Sequence, residues 1–326
     1  MDKKFIENLY KVIKHGESLE EVSSRLGLSY EECYGAIELL KASGKTIEIE
    51  ERDGVLKINK RGNYLKKNIR VKPELDSLIE TKVCILSDTH LGTKESQPHL
   101  INKVYEEAYA RGIDTVLHCG DLLDGDYTQI RREQIYQLFL RGFDEQVGYV
   151  IDNYPYVKGI KTYFIQGSHD ETHLKNGGAT PGYWISKTRE DMIYLGQDNA
   201  TITLNGVKIE MDHPGGGSSK ALSYKPQQAI EGMSSGNKPK IFLQGHFHKY
   251  YYFFYRNVHA FLIPALCAQS QFMRKNKMAN IMGAVFLDIY SDAKGNIQML
   301  KTDELLFDES DVIEDDYKKC KVLVLK

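Results

Sequence analysis

Between residues 88 and 248 the chain carries five short polar segments: Asp88-Thr89-His90, Gly120-Asp121-Leu122-Leu123-Asp124, Gly167-Ser168-His169-Asp170, His213, and Gly245-His246-Phe247-His248. Half of the ten histidines fall in them, and three of the segments directly follow short apolar runs that read as strands. Carboxylates and imidazoles at loop tips are the ligands that hold divalent transition metals. The loop at the C-terminal end of a strand is where an α/β sheet places its ligands. A chain of this pattern must therefore deliver several strand ends to one point.

In order and residue type the five segments resemble the calcineurin-like metallophosphoesterase superfamily, whose pattern reads D-x-H, G-D-x-x-D/H, G-N-H-D/E, H, G-H-x-H. The departure is Ser168, where the family has Asn. The resemblance implies an α/β fold in which two mixed β-sheets pack as a sandwich flanked by helices. It also implies two divalent metal ions, for which Mn, Fe and Zn all suit a mixed N/O donor set. Carried over by position, Asp88, His90 and His248 would hold one ion, and His213 and His246 the other. Asp121 would bridge both, and Ser168 would stand in for the amide oxygen of Asn at the second. His169 would act as general acid, with Asp170 orienting its ring and Asp124 supporting Asp121 from beneath. The reaction implied is attack on a phosphoester by a hydroxide that bridges the ions. Phosphodiester bonds in DNA or RNA are the leading substrate, which would make the chain nuclease-like. Small nucleotides or phosphoproteins are the alternative, and a binding regulator with a degenerate metal domain is a reading of another class.

Composition narrows the partners. With 326 residues, 41% apolar and 27% charged, the chain reads as a soluble globular protein with room for a catalytic domain and a small module. A net charge of −2 argues against a strongly basic nucleic-acid-coating protein. No run approaches the ~18 apolar residues of a membrane span, and the N-terminal residues lack the apolar stretch of a signal peptide. Cys33, Cys84, Cys119, Cys267 and Cys320 are odd in number and form no CxxC pair. These features predict a reduced, cytoplasmic protein with no membrane partner.

Organisation follows from punctuation. Residues 1–70 read as a three-helix module closed by a hairpin: N-caps at Ser18 and Ser29, stops at Gly27 and Gly44, and a turn at Asp53-Gly54. That pattern resembles a winged helix-turn-helix. Its third helix, however, carries Glu31, Glu32 and Glu38 against a single Lys41, a face that repels phosphates. Packing or oligomer contacts through the module, and substrate handling by Lys60, Arg61, Lys66, Lys67 and Arg70, stand beside DNA binding as its roles. A linker is expected at 71–81, the catalytic domain at 82–302, and an acidic segment with an edge strand at 303–326. Within the catalytic domain a long helical pattern spans 127–152, and Asn205-Gly206 marks a second hairpin. Tyr250–Tyr255 would place rings on both faces of a strand, and Arg131, Arg132, Arg274, Lys275 and Lys277 would line a phosphate groove or lie in solvent. His15, His99, His173 and His259 read as structural or surface residues, and His118 as packed.

Overall fold

The computed structural model describes residues 3–14, 16–45, 47–60, 77–127, 132–234, 236 and 238–325. It divides into two compact units, Met1–Lys72 and Pro73–Lys326. The first runs α1 (Lys3–Val12), β1 (Glu17–Ser18), α2 (Leu19–Leu26), α3 (Tyr30–Ala42), β2 (Ile47–Arg52), β3 (Val55–Lys60). The Ser18 and Ser29 hydroxyls accept from the N–H groups of Glu21 and Glu32, whose carboxylates accept from the cap backbone in return. Two otherwise orphaned helix donors are thereby satisfied at each cap. Asp53 and Gly54 have φ of 55° and 75°, the left-handed pair a tight hairpin requires. The apolar faces of these elements close a small core that includes Leu19, Val22, Ile37, Leu40, Ile47 and Ile58. Glu31, Glu32 and Glu38 are exposed on α3, and Glu38 pairs with Lys41 at 2.6 Å. His15, Arg61, Lys66, Lys67, Arg70, Ile130 and Arg131 lie outside the described residues.

The second unit alternates strands and helices: β4 (Ile79–Leu86), α4 (Pro98–Ala110), β5 (Thr115–His118), α5 (Gly142–Asn153), β6 (Tyr156–Val157), β7 (Lys161–Gln166), α6 (Glu171–Gly177), α7 (Pro181–Thr188), β8 (Met192–Gln197). It then turns to mostly strands: β9 (Asn199–Leu204), β10 (Val207–Asp212), α8 (Tyr224–Gly232), β11 (Ile241–Gln244), β12 (Tyr251–Tyr255), β13 (Val258–Leu262), α9 (Gln271–Lys275), β14 (Met282–Ser291), β15 (Ile297–Phe307), α10 (Asp316–Lys319), β16 (Val324–Leu325). Two mixed sheets result, one ordered β15-β14-β4-β5-β7-β8 and the other β12-β13-β11-β10-β9. Because strand side chains alternate between faces, Val83 and Ile85 point toward the second sheet and pack with Ile209, Met211, Ile241 and Leu243. Cys84 and Leu86 point the other way, into a layer with Leu100, Val104, Val150 and Ile185 from the helices. A smaller cluster, Ile230 with Phe242, Val258 and Ala260, seats α8 on the outer face of the second sheet. Burial on both faces explains why the Val83–Leu86 half of β4, and Ile241–Leu243 of β11, read as continuous apolar runs. This is the predicted sandwich of mixed sheets between helices.

Several elements differ from expectation. The 127–152 pattern is not one helix among the described residues: a 3-10 helix covers Arg132–Gln137 and α5 begins only at Gly142. Between them Leu138 pairs with Thr93, and the Phe139 N–H donates to the Gly92 carbonyl at 2.9 Å. Those backbone bonds to a distant loop replace helical ones. β4 starts at Ile79, inside the expected 71–81 linker. β15 runs through residue 302, where the catalytic domain was expected to stop, because its whole length pairs with β14. Asp303 and Glu304, the first residues of the expected acidic segment, are thus strand residues. In β12 the alternation is incomplete: Tyr252 and Phe254 are exposed while Tyr251, Phe253 and Tyr255 are only half-buried.

Candidate metal centre

All five polar segments leave the C-terminal ends of parallel strands. β4, β5 and β7 are neighbours in one sheet and run parallel, so the loops carrying Asp88, Asp121 and His169 lie side by side. β10 and β11 are parallel neighbours in the other sheet and bring His213 and His246–His248 to the same end. Backbone bonds tie the loops together: the N–H groups of Asp88 and His90 donate to the carbonyls of Gly120 and Asp121 at 3.0 and 3.1 Å.

The turns are tight. Asp88, His90, Asp121, His246 and His248 all have positive φ, between 43° and 77°. Non-glycine residues hold such a conformation at about 1–3 kcal/mol each, and they concentrate at functional sites. The motif glycines answer a different need. A Cβ on Gly120 would stand 2.4 Å from His213 Nδ1, one on Gly167 would stand 2.4 Å from Asp121 Oδ1, and one on Gly245 would stand 2.3 Å from Ser87 Oγ. Three loops can close on one another only because these side chains are missing.

Two donor groups result. In the first, His90 Nε2 and His248 Nε2 face each other at 3.3 Å, and Asp88 Oδ1 stands 3.7 and 3.3 Å from them. Each imidazole has its other nitrogen committed: His90 Nδ1 donates to Asp124 Oδ1 at 3.0 Å, and His248 Nδ1 to Asn280 Oδ1 at 2.8 Å. The neutral rings therefore turn bare lone pairs toward one another and toward a carboxylate. Asp88 Oδ1 is buried without a hydrogen-bond partner. In the second group, His213 Nδ1 donates to the Cys119 carbonyl at 2.7 Å, which leaves its Nε2 lone pair 2.9 Å from Asp121 Oδ2. His246 completes this group and donates from Nε2 to the Gly216 carbonyl at 2.6 Å.

Lone pairs at such spacing require a cation between them. A tetrahedron with Zn–N bonds of ~2.0–2.1 Å has donor–donor edges of about 3.3 Å, the separation seen here. Without a metal the cation is a proton. Burial opposes charge on His213 and His248, but Asp121 and Asp88 outweigh it and hold the two rings up to about 9 and about 10. Asp88 itself, despite burial, is driven well below the usual carboxylate range by His248. The donor set fits divalent metal.

Asp121 lies between the groups. Its Oδ2 faces His213 at 2.9 Å and both His90 and His169 at 4.0 Å, while Oδ1 accepts from the His169 N–H at 2.8 Å. Ser168 opens onto the same cavity as His90, Asp121, His169, His246 and His248. His169 is half-buried, with Nδ1 against the Tyr127 hydroxyl and the Asp124 carbonyl.

Two supporting roles need correction. Asp170 makes its hydrogen bonds away from the His169 ring: its carboxylate accepts from the N–H groups of Leu122, Leu123 and Gly167 at 3.1, 2.8 and 2.9 Å. It clamps the Asp121 loop to the His169 loop. Asp124 sits beside the imidazoles rather than beneath Asp121, its Oδ1 at 3.0 Å from His90 Nδ1 and 3.4 Å from His169 Nδ1. Burial alone would raise Asp124, yet His169 and His90 lower it to about 2. His118 is buried, bonded to the Thr89 hydroxyl at 3.1 Å, and stands in none of the donor groups. Tyr127, Asn280 and Cys267 are site residues that no motif announces. Tyr127 meets His169 across 42 positions and Asn280 meets His248 across 32, while Cys267 gathers with His248 and with His90 of a distant loop.

The cavity over this centre has a volume of about 680 Å³, and its lining includes Phe247, Phe272, Met273 and Met278. Lys175 is on its lining, whereas Arg274, Lys275 and Lys277 are not.

No curated protein sequence matches the chain. Among solved structures it is similar to an archaeal phosphodiesterase, at 16% identity over 70% of this chain and 100% of that one, with a TM-score of 0.40. It is also similar to Vps29 from Entamoeba histolytica complexed with zinc, at 14% identity over 70% and 100% of the two chains and a TM-score of 0.35. A third is a 5′-nucleotidase precursor from Thermus thermophilus, at 12% identity over 74% of this chain and 57% of that one, TM-score 0.38. The family model of the calcineurin-like phosphoesterase superfamily domain matches residues 81–270, more than half of the sequence and every segment that builds the centre. The chain belongs to the calcineurin-like phosphoesterase superfamily, and it is a metal-dependent phosphoric ester hydrolase.

Proposed function

We propose that the chain is a dinuclear phosphodiesterase acting on nucleic acid. The observation that carries the dinuclear reading is the position of Asp121, whose carboxylate lies between the His90 group and the His213 group. Asp88, His90 and His248 would hold one ion, and His213, His246 and Ser168 the second, with Asp121 common to both. Two ions there would neutralise the phosphoryl oxygens and supply an activated water. His169 is held through Nδ1, which donates to the Asp124 carbonyl, so Nε2 is the atom left to protonate the departing oxygen. The Asp124 carboxylate stands 3.4 Å from the same Nδ1. Asp170 keeps the loops of Asp121 and His169 in register by accepting from both.

The substrate reading is supported by the cavity. Its size and the apolar wall of Phe247, Phe272 and Met273 suit a nucleobase stacked beside the phosphate. The same volume lies within the usual ~300–1,000 Å³ of a small-ligand pocket, which favours a small cyclic or linear nucleotide as the second reading. Residues 1–70 would then handle larger substrates or oligomer contacts, and 82–302 would supply the chemistry. A reduced, cytoplasmic setting agrees with five free thiols. The test is a screen of the Mn-loaded protein against a chromogenic phosphodiester, a phosphomonoester, a dinucleotide, and single- and double-stranded DNA. Cleavage of the diester and DNA is expected. Turnover of the monoester alone would overturn the phosphodiesterase reading, and turnover of the dinucleotide without DNA would replace nucleic acid by a small nucleotide.

A further inference from the structure

Cys267 lies outside all five polar segments, in the stretch between β13 and α9, yet its thiol is gathered with the first donor group. The sulfur, His90 and His248 present ligand atoms within 4.8 Å of one another, and Cys267 is 4% exposed on the wall of the cavity. Its position is held on three sides. The Leu266 N–H donates to the carbonyls of Ser87 and Asp88, both at 3.1 Å, the Ala268 N–H donates to the Glu95 carbonyl at 2.8 Å, and residue 267 pairs with Ser96. Asn280 joins it to the neighbouring ligand: its Nδ2 donates to the Cys267 carbonyl at 3.0 Å while its Oδ1 orients His248. A residue whose backbone carbonyl is held by the same amide that orients a metal-facing imidazole is pre-set relative to it. Independently, Asp88 Oδ1 is fully buried, lacks a hydrogen-bond partner and is aimed at the same two imidazoles.

We infer that Cys267 supplies a thiolate to the ion held by Asp88, His90 and His248, giving that half of the centre an N₂OS donor set. The inference rests on the reading of those three residues as ligands. On binding, the thiol loses its proton to solvent and the sulfur takes the metal in its place. A soft donor shifts preference toward zinc or iron and away from manganese, which favours oxygen. The two halves of the centre thereby differ, since the Asp121, His213 and His246 group contains no sulfur among the described residues.

The test uses the full chain loaded with cobalt or zinc. Cobalt-substituted protein should show a sulfur-to-cobalt charge-transfer band in the near ultraviolet. Cys267→Ser should lose it, and Cys320→Ser, remote from the donor group, should keep it. X-ray absorption of the unmodified zinc-loaded protein should find a sulfur neighbour at ~2.3 Å, one per centre and therefore about half a sulfur per zinc when both ions are bound, a readout that needs no variant. Zinc affinity of Cys267→Ser should fall at least as far as on losing an outer partner of a ligand, about 10–100-fold, with a smaller fall for manganese. Cobalt bound with visible ligand-field bands but no sulfur transition, or a transition that survives in Cys267→Ser, overturns the thiolate and leaves the metal centre standing. Failure to bind cobalt or zinc at all overturns both.

Discussion

Replacing Asp170 by Ala separates a structural clamp from a catalytic helper. Three buried backbone donors, on Leu122, Leu123 and Gly167, point at its carboxylate. Leaving each without a partner costs about 1–3 kcal/mol, so the gross loss is about 3–9 kcal/mol. Part returns, because burial and the charge of Asp121 already push Asp170 from 3.8 up to about 6. At roughly 1.36 kcal/mol per pH unit the ionised carboxylate carries a penalty of about 3 kcal/mol, which the substitution removes. A net loss near 3 kcal/mol would lower the melting temperature by about 6–12 °C in a unit of this size. The sign with pH follows from the raised value. The wild-type penalty is present above pH 6 and fades as pH falls toward 3.8, so the gap between wild type and variant should widen from pH 8 to pH 5. Scanning calorimetry of metal-free protein at the two pH values reads this directly. Metal affinity should fall together with stability, since the clamped loops carry Asp121 and Ser168. An Asp170→Ala protein that melts at the wild-type temperature, binds metal normally and loses only turnover would refute the clamp and return Asp170 to the His169 ring.

Three further outcomes are expected. His169→Ala should keep its metal and lose about 10²–10⁴-fold in turnover, less for substrates whose leaving group needs no proton; metal content and a leaving-group series check this, and loss of metal would contradict the role. Ser168→Asn should tighten the weaker of two metal-binding steps, each tenfold gain being about 1.4 kcal/mol, with the other step unchanged in a calorimetric titration. His118 is buried and neutral, driven by burial from 6.5 to about 3, so it costs no stability above pH 6.5 and carries a penalty that grows as pH falls from 6.5 toward 3, where only the unfolded chain takes the proton. Between pH 7 and 4.5 His118→Gln should therefore lose less stability than wild type by roughly 2–3 kcal/mol in urea titrations, and equal losses would show that His118 takes a proton without unfolding.

What the sequence determined by itself was local. Caps at Ser18 and Ser29, hairpin turns at Asp53-Gly54 and Asn205-Gly206, and the apolar runs of β4, β5 and β7 each state their conformation within a few residues. Bond reach and backbone sterics at that range leave few alternatives. The five polar segments were legible for the same reason: every ligand type sits in a short stretch directly behind a strand. The tertiary structure decided which groups those residues meet. Asp170 neighbours His169 in sequence, yet positive φ at Asp121 and the close packing of Gly167 aim its carboxylate at the backbone of another loop. Asp124 turned toward two imidazoles because His90 arrives from β4 and His169 from β7. Phe139 and Leu140 lie in a helical pattern but donate their N–H groups to the Gly92 carbonyl, and β15 passes residue 302 because β14 offers it partners along its full length. Cys267, Asn280 and Tyr127 carry no signal until distant loops meet, Tyr127 through the pairing of β5 with β7 and the other two through the packing of one sheet on the other. Their chemistry depends on neighbours that only the assembled sheets supply, and no periodicity or spacing encodes a contact made at that range.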